Sequence, residues 1–365
     1  MDQIAGEASS GFDIDFDTAF KPAFESTAEP KTLDALSKSR VNPFAAKLLG
    51  LQKQLWDRLP TPELGLALIC VLVALVMSLV ADLPFSLPDV SALAFTGMHP
   101  AVPIGLISAW LGVTMLSRFK FRVFYYVTAA FAYCVILVVH FNIKLWMAIA
   151  NPVNWDAFYW RVDGAVRPII DLSFGVHDAA AFLLPFENHL YLFAFLAMFL
   201  CSIVIHSMRC FMVFRRVIFS AMLVHALGAI SYLIMPAAGP FIYEAGSNAL
   251  ETARQVHMYE GYQALIAGGR PWIAENGSQY MLAAVAAMPS LHVASSGVFL
   301  YYALKHERWL GLCYLPLFTF ILFEAMSTRW HYAVDLIAGI GLTALAIWIA
   351  AIIFRPIEQR QNDLG

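Results

Sequence analysis

The sequence predicts an all-α, polytopic integral membrane protein of about eight transmembrane helices. Three observations carry that expectation. Apolar residues make up 60% of the 365 and charged residues only 13%, with a mean hydropathy of +0.67, well outside the range of soluble domains. The apolar residues gather in runs long enough to cross a bilayer; Leu64–Ala81 alone is eighteen residues without a charge. Lysine and arginine concentrate in alternate connections between those runs, as they do in cytoplasmic loops.

Taken in order, residues 1–30 carry seven acidic residues and one lysine, and the segment 1–42 is expected to be a solvated, disordered cytoplasmic tail without a signal peptide. Residues 43–60 read as an amphipathic helix lying along the inner membrane surface. Pro43 suits a first helical position, and Phe44, Leu48, Leu51, Leu55 and Trp56 alternate with Lys47, Lys53 and Arg58. The transmembrane catalytic domain is expected over 61–355, followed by a cytoplasmic tail, 356–365. Its spans are expected at Leu64–Ala81, Pro100–Ser117, Val123–Val139, His189–Met208, Val217–Met235, Met281–Leu304, Trp309–Phe323 and His331–Phe354.

Charge sets the expected orientation. Arg118, Lys120 and Arg122 separate spans two and three, and Arg209, Arg215 and Arg216 separate four and five. Lys305 and Arg308 separate six and seven, Arg355 and Arg360 follow span eight, and 82–99 contains no lysine or arginine. Both termini should then be cytoplasmic. Two longer external segments remain. Residues 151–188 suggest short interfacial or re-entrant helices roofing a site, and 237–280, rich in Gly and Pro turn signals, reads as a functional connection without a strong helix. Cys70, Cys134, Cys201, Cys210 and Cys313 lie in or beside apolar runs. No disulfide, no metal site of zinc spacing and no cofactor is expected from them. The net charge of −3 and the lack of a basic stripe argue against nucleic acid as a partner.

Two stretches carry ionisable residues at the mouths of spans: Met288-Pro289-Ser290-Leu291-His292-Val293-Ala294 and Arg329-Trp330-His331-Tyr332-Ala333-Val334-Asp335. Ionisable groups at a membrane edge are expensive to keep and point to function. His331 and Asp335 stand four residues apart, one helical turn, so a carboxylate can orient an imidazole. The orientation drawn from charge puts both stretches on one membrane face, the extracytoplasmic one. Each residue also has a bland reading: a hydrogen-bonded interior histidine, a partner aspartate for another span, a small packing serine.

Pro-Ser-Leu-His followed by His-Tyr-Ala-Val-Asp, with a separation of 39 residues between His292 and His331, resembles the second and third signature motifs of the type-2 phosphatidic acid phosphatase superfamily. Pro236-Ala237-Ala238-Gly239-Pro240-Phe241-Ile242-Tyr243-Glu244 resembles the proline-rich loop of its inositol phosphorylceramide synthase-like branch, and the likeness extends over roughly residues 190–354. The resemblance implies a six-helix phosphatase-like core and a metal-independent reaction. His331 would be the nucleophile forming a phosphohistidine, Asp335 its orienting carboxylate, and His292 the general acid and then base. Ser290, Arg270, Arg329 and Tyr243 are the candidate substrate or phosphate ligands. Departures favour the transferase-like branch. The phosphatase pattern has a lysine seven residues before Arg-Pro, and before Arg270-Pro271 that position is Gln263; where it has arginine six residues before the motif histidine, this chain has Ala325; and the second motif reads Ser-Leu-His, not Ser-Gly-His.

The expected function is transfer of a phospho-head group, such as phosphoinositol, from a glycerophospholipid donor to a lipid alcohol acceptor such as ceramide. The alternative is a lipid phosphate phosphatase acting on phosphatidate, sphingoid phosphate or polyprenyl pyrophosphate. A proton-coupled transporter is the reading from another class; it predicts midplane ionisable groups and inverted repeats, and neither is visible in the sequence.

Overall fold

The computed structural model describes residues 61–89, 101–116, 122–183, 187–282, 285 and 287–363, all within one compact unit, Leu59–Gly365. The expected tail at 1–42 and the surface helix at 43–60 lie outside the described residues. Among the described residues the chain is all helical: α1 Pro62–Ala81, α2 Ala101–Leu116, α3 Val123–Ala150, α4 Asp156–Ala165, α5 Arg167–Leu183, α6 Glu187–Arg209, α7 Phe211–Ile234, α8 Ala249–Tyr280, α9 Leu291–His306, α10 Arg308–Ser327 and α11 Ala333–Asp363.

Six of these (α1, α3, α6, α7, α10 and α11) are long and apolar enough to cross a membrane. Among the described residues that is six candidate spans against the eight expected; α2 and α9, at the places of the second and sixth expected spans, are shorter, with 16 residues each. Large apolar side chains such as Leu79, Val80 and Phe124 are more than four-fifths exposed on the outside of the bundle, the pattern of a surface that faces lipid instead of water. The chain is therefore an integral, multi-pass membrane protein. Helix α7 is the central post, with 67% of its apolar span buried against 17% for α1.

Polar contacts fix which helix ends meet. Arg215 at the start of α7 pairs with Glu63 at the start of α1 (3.2 Å) and donates to the Tyr125 hydroxyl at the start of α3 (2.8 Å). These three helices therefore run parallel from one end of the bundle. At the other end the Asn151 side chain, just past α3, donates to the Leu233 carbonyl near the end of α7 (2.9 Å). The N-termini of α9 and α11 meet there too, where the Ser290 amide donates to the Asp335 carbonyl (3.1 Å). That contact needs Gly339: a Cβ at this position would stand 2.7 Å from the Ser290 carbonyl oxygen, and small residues at such crossings let backbones approach.

Three boundaries differ from expectation. The sixth span begins at Leu291, not at 281, because Pro289 has no amide hydrogen for a helix and disfavours helical geometry in the residue before it. Residues 287–290 instead form a strap, whose Ala287 amide bonds the Ala237 carbonyl (2.9 Å). Helix α3 runs eleven residues beyond Val139, through His140 and Lys144 to Ala150. The segment 237–280, expected to lack a strong helix, holds α8, capped by Asn248 and broken at Gly269 (φ +59°). Its two halves fold back on each other, with the Tyr280 ring stacked on His257 (5.1 Å) and a Cβ at Gly261 reaching within 2.4 Å of the same ring. The Gly268-Gly269-Arg270-Pro271 turn signal is the bend of that hairpin. Helices α4 and α5 are the expected short helices of 151–188. Helix α11 continues past residue 355, through Pro356, to Asp363.

Candidate active site

Both motif histidines open on one cavity of about 450 Å³. Its walls come from α3, α6, α7, the first half of α8, the start of α9 and the loop before α11, and aromatic side chains such as Tyr133, Tyr191, Phe195 and Trp330 dominate them. His292, the second residue of α9, is held edge-on between Tyr191 (5.1 Å) and Phe195 (4.7 Å).

His331 is fixed by the strap ahead of α9. Its Nδ1 lies 2.8 Å from the Ala287 carbonyl oxygen. A carbonyl only accepts, so Nδ1 carries the proton and Nε2 keeps its lone pair. The His331 amide donates to the Ala325 carbonyl (3.1 Å), which anchors the residue from the other side. Burial holds the imidazole well below its ordinary value, at about 4, with the Lys144 charge adding to the shift and the Ala287 contact opposing it. At neutral pH the ring is uncharged.

Asp335 lies beside this ring, its Oδ2 3.5 Å from Nδ1. The shorter partner of Nδ1 is the Ala287 carbonyl, and Oδ2 instead accepts the Tyr332 amide (2.8 Å), tying together the first turn of α11. Asp335 is fully buried and its Oδ1 has no partner among the described residues. A backbone carbonyl therefore sets the tautomer of His331, and the Asp335 carboxyl group stands beside the ring as a second, longer contact.

The loop carrying His331 is held by the roof helix α4 through two aspartates seven residues apart, two helical turns, on one face. Asp156 accepts from the Ala238 amide (2.7 Å), the Gly239 amide (2.9 Å) and the Tyr332 hydroxyl (2.7 Å). Asp163 accepts from Arg329 (3.1 Å) and from the Ala333 amide (2.9 Å). Arg329 has φ +58°, a left-handed backbone that a non-glycine residue holds only when its surroundings enforce it. Here they do. Its buried guanidinium meets Asp163 and Glu244 (3.2 Å) and lies over Trp160 (5.3 Å), while its carbonyl accepts from the Phe241 amide (3.1 Å).

Several expected phosphate ligands stand elsewhere. Arg329 is a buried strut of the loop and does not line the cavity. Arg270 sits exposed at the bend of the α8 hairpin, away from the cavity lining. Tyr243 packs on Trp160 (4.9 Å) on the outer side of the loop. Ser290 is fully buried as the N-cap of α9, its hydroxyl facing the Val293 amide (3.5 Å). The structure thus gathers His292, His331 and Asp335, with Ser290 behind them, and separates Arg270, Arg329 and Tyr243 from the cavity.

Sequence reasoning took His140 on α3 and His225 on α7 as structural histidines for want of partners, and passed over Lys144 on α3 and the paired Glu251 and Arg254 on α8; all five line the cavity. For Lys144 a signal was present. It is the only charged residue in the 28 of α3, and a charge inside an apolar helix marks function by default. Glu251 and Arg254 lie in a polar helix with no such contrast.

The membrane helix bundle thus brings a half-buried His292, a buried His331 and a buried Asp335 together beside one aromatic-lined cavity. The PAP2 superfamily model matches residues 157–349, and the chain belongs to that superfamily. No curated protein and no solved structure matches it.

Proposed function

We propose that the protein is a membrane lipid phosphotransferase of the inositol phosphorylceramide synthase-like kind. It moves a phospho-head group, such as phosphoinositol, from a glycerophospholipid to a lipid alcohol such as ceramide. The observation that carries this reading is the placement of His292 and His331 on one aromatic-walled cavity. Such walls suit acyl chains and a lipid hydroxyl better than bulk water.

In the first half-reaction the Nε2 lone pair of His331 attacks phosphorus, and the bond to the glyceride oxygen breaks as His292 delivers a proton to that leaving group. The imidazolium formed at His331 keeps its Nδ1 proton on the Ala287 carbonyl, and the Asp335 carboxylate beside it opposes the new positive charge. In the second half-reaction His292 takes the proton of the acceptor hydroxyl, the oxygen attacks phosphorus, and His331 leaves neutral. No proton or electron is left over. Orientation is part of the proposal: Arg209, Arg215, Arg216, Lys305 and Arg308 lie at helix ends remote from His331, which favours an extracytoplasmic site with cytoplasmic termini.

The test uses purified protein in detergent and donors labelled in the head-group phosphate, phosphatidylinositol and phosphatidate in parallel, each with and without ceramide. Label entering a new, ceramide-dependent lipid is the expected result. Label released as soluble phosphate regardless of ceramide would instead identify a phosphatase.

A further inference from the structure

A phosphate donor entering this cavity needs a cation, and the residues expected to supply it are engaged elsewhere. Arg329 is held between Asp163 and Glu244, and Arg270 sits exposed at the bend of the α8 hairpin, outside the cavity lining. Of the cations that line the cavity, Arg254 is paired with Glu251, which lines it too. Lys144 remains. It lines the same cavity as His292 and His331, makes no ion pair among the described residues, and places its ammonium 5.7 Å from the centroid of the Tyr232 ring. We propose that Lys144 is the phosphate-binding cation of this site, supplied by a helix that lies outside the family-matched residues. The assignment rests on the phosphotransferase reading above.

Three further observations agree with it. An unpaired ammonium within an apolar bundle is costly unless a ligand completes it. The lining carries two cations and one carboxylate, so one positive charge is left over, the match for a phosphodiester with its single negative charge. Finally, Lys144 is within electrostatic reach of the nucleophile, since its charge contributes to the low proton affinity of His331. His140, one turn earlier on α3, and His225 on α7 flank it. Each has Nδ1 on a backbone carbonyl (3.0 and 2.9 Å), which leaves Nε2 as an acceptor suited to hydroxyl groups of a head group.

Binding, not turnover, tests this. The probe is dodecylphosphonate, whose C–P bond offers no transferable ester, titrated by calorimetry into full-length protein in detergent, with dodecanol as the uncharged control. Loss of one charge-assisted contact predicts roughly 10–100-fold weaker phosphonate binding in Lys144→Met, unchanged dodecanol binding, and affinity within about 3-fold of the parent in Lys144→Arg. If the Met variant does not fold, Lys144→Gln carries the same expectation. Equal phosphonate affinity in parent and charge-removed protein overturns the proposal, as does a parent that binds dodecanol but not the phosphonate. Because no turnover is needed, a protein that binds the phosphonate through Lys144 yet transfers no head group would refute the function and leave the site standing.

Discussion

Removing the Asp163 carboxylate should loosen the His331 loop while leaving the membrane bundle intact. The Asp163 side chain is 3% exposed and that of Arg329 fully buried. Taking one partner from a buried ion pair costs about 3–5 kcal/mol, because the other charge stays buried. Glu244 remains 3.2 Å from Arg329, but it already receives both terminal nitrogens of Arg167, so it compensates only in part. The low end, about 3 kcal/mol, is therefore expected for Asp163→Asn, which can still accept the Ala333 amide. Asp163→Ala also orphans that amide, at about 1–3 kcal/mol more. Local stability of this kind is read by hydrogen exchange. Amides of residues 329–333 should lose roughly 100-fold protection in Asp163→Asn, since each factor of ten is about 1.4 kcal/mol, and more in the Ala variant. Amides in the middle of α7 should not change. Protection within 3-fold of the parent in Asp163→Ala would refute the idea that α4 holds the loop.

Further predictions concern turnover. His331→Ala should abolish transfer in folded protein, whereas Asp335→Asn should lose only about 10–100-fold and not the ~10⁴-fold expected when a carboxylate alone sets the tautomer; parity of the two variants would contradict the role given to Ala287. Protonating His331 removes its lone pair, so its contribution to the rate should be intact above its folded value and fall only as pH drops through about 4. The same buried neutral ring contributes stability that is complete above the unfolded histidine value of about 6.5 and declines between there and about 4; pH-dependent melting of the parent against His331→Ala would expose an error in that sign. Gly339→Ala must push α11 away from the Ser290 carbonyl, 2.7 Å from the new Cβ, and a shift near 1 Å between the histidines should slow transfer about 100-fold. Arg270→Ala, exposed at the hairpin bend, should keep activity within about 3-fold of the parent.

What the sequence made legible were features with a strong local signature. Uncharged runs such as Leu64–Ala81 announce spans through composition alone, and the His331/Asp335 spacing announces a shared helix face. Features that depend on tertiary partners stayed hidden. The Ala287 carbonyl orients His331 from 44 residues away and has no side chain to notice. Asp156 and Asp163 fell within the expected roofing helices of 151–188, but nothing in the sequence pointed to their partners Tyr332 and Arg329. Helix α8 carries a mixed polar sequence, so its Gly and Pro bend spoke louder than its helical stretches. Arg329 shows the same limit: an arginine two residues from a motif histidine suggests a ligand, yet in the fold its backbone is left-handed and its side chain meets Asp163 of α4 and does not line the cavity.

The central claim is a phosphohistidine at position 331. The direct measurement is rapid quenching of the protein with donor phospholipid labelled in its head-group phosphate and no acceptor, in base, followed by mapping of labelled peptides. The account predicts acid-labile, base-stable label on the peptide containing His331, discharged when ceramide is added and missing from His331→Ala. Label on His292, or transfer to ceramide with no labelled protein at any time, would contradict it.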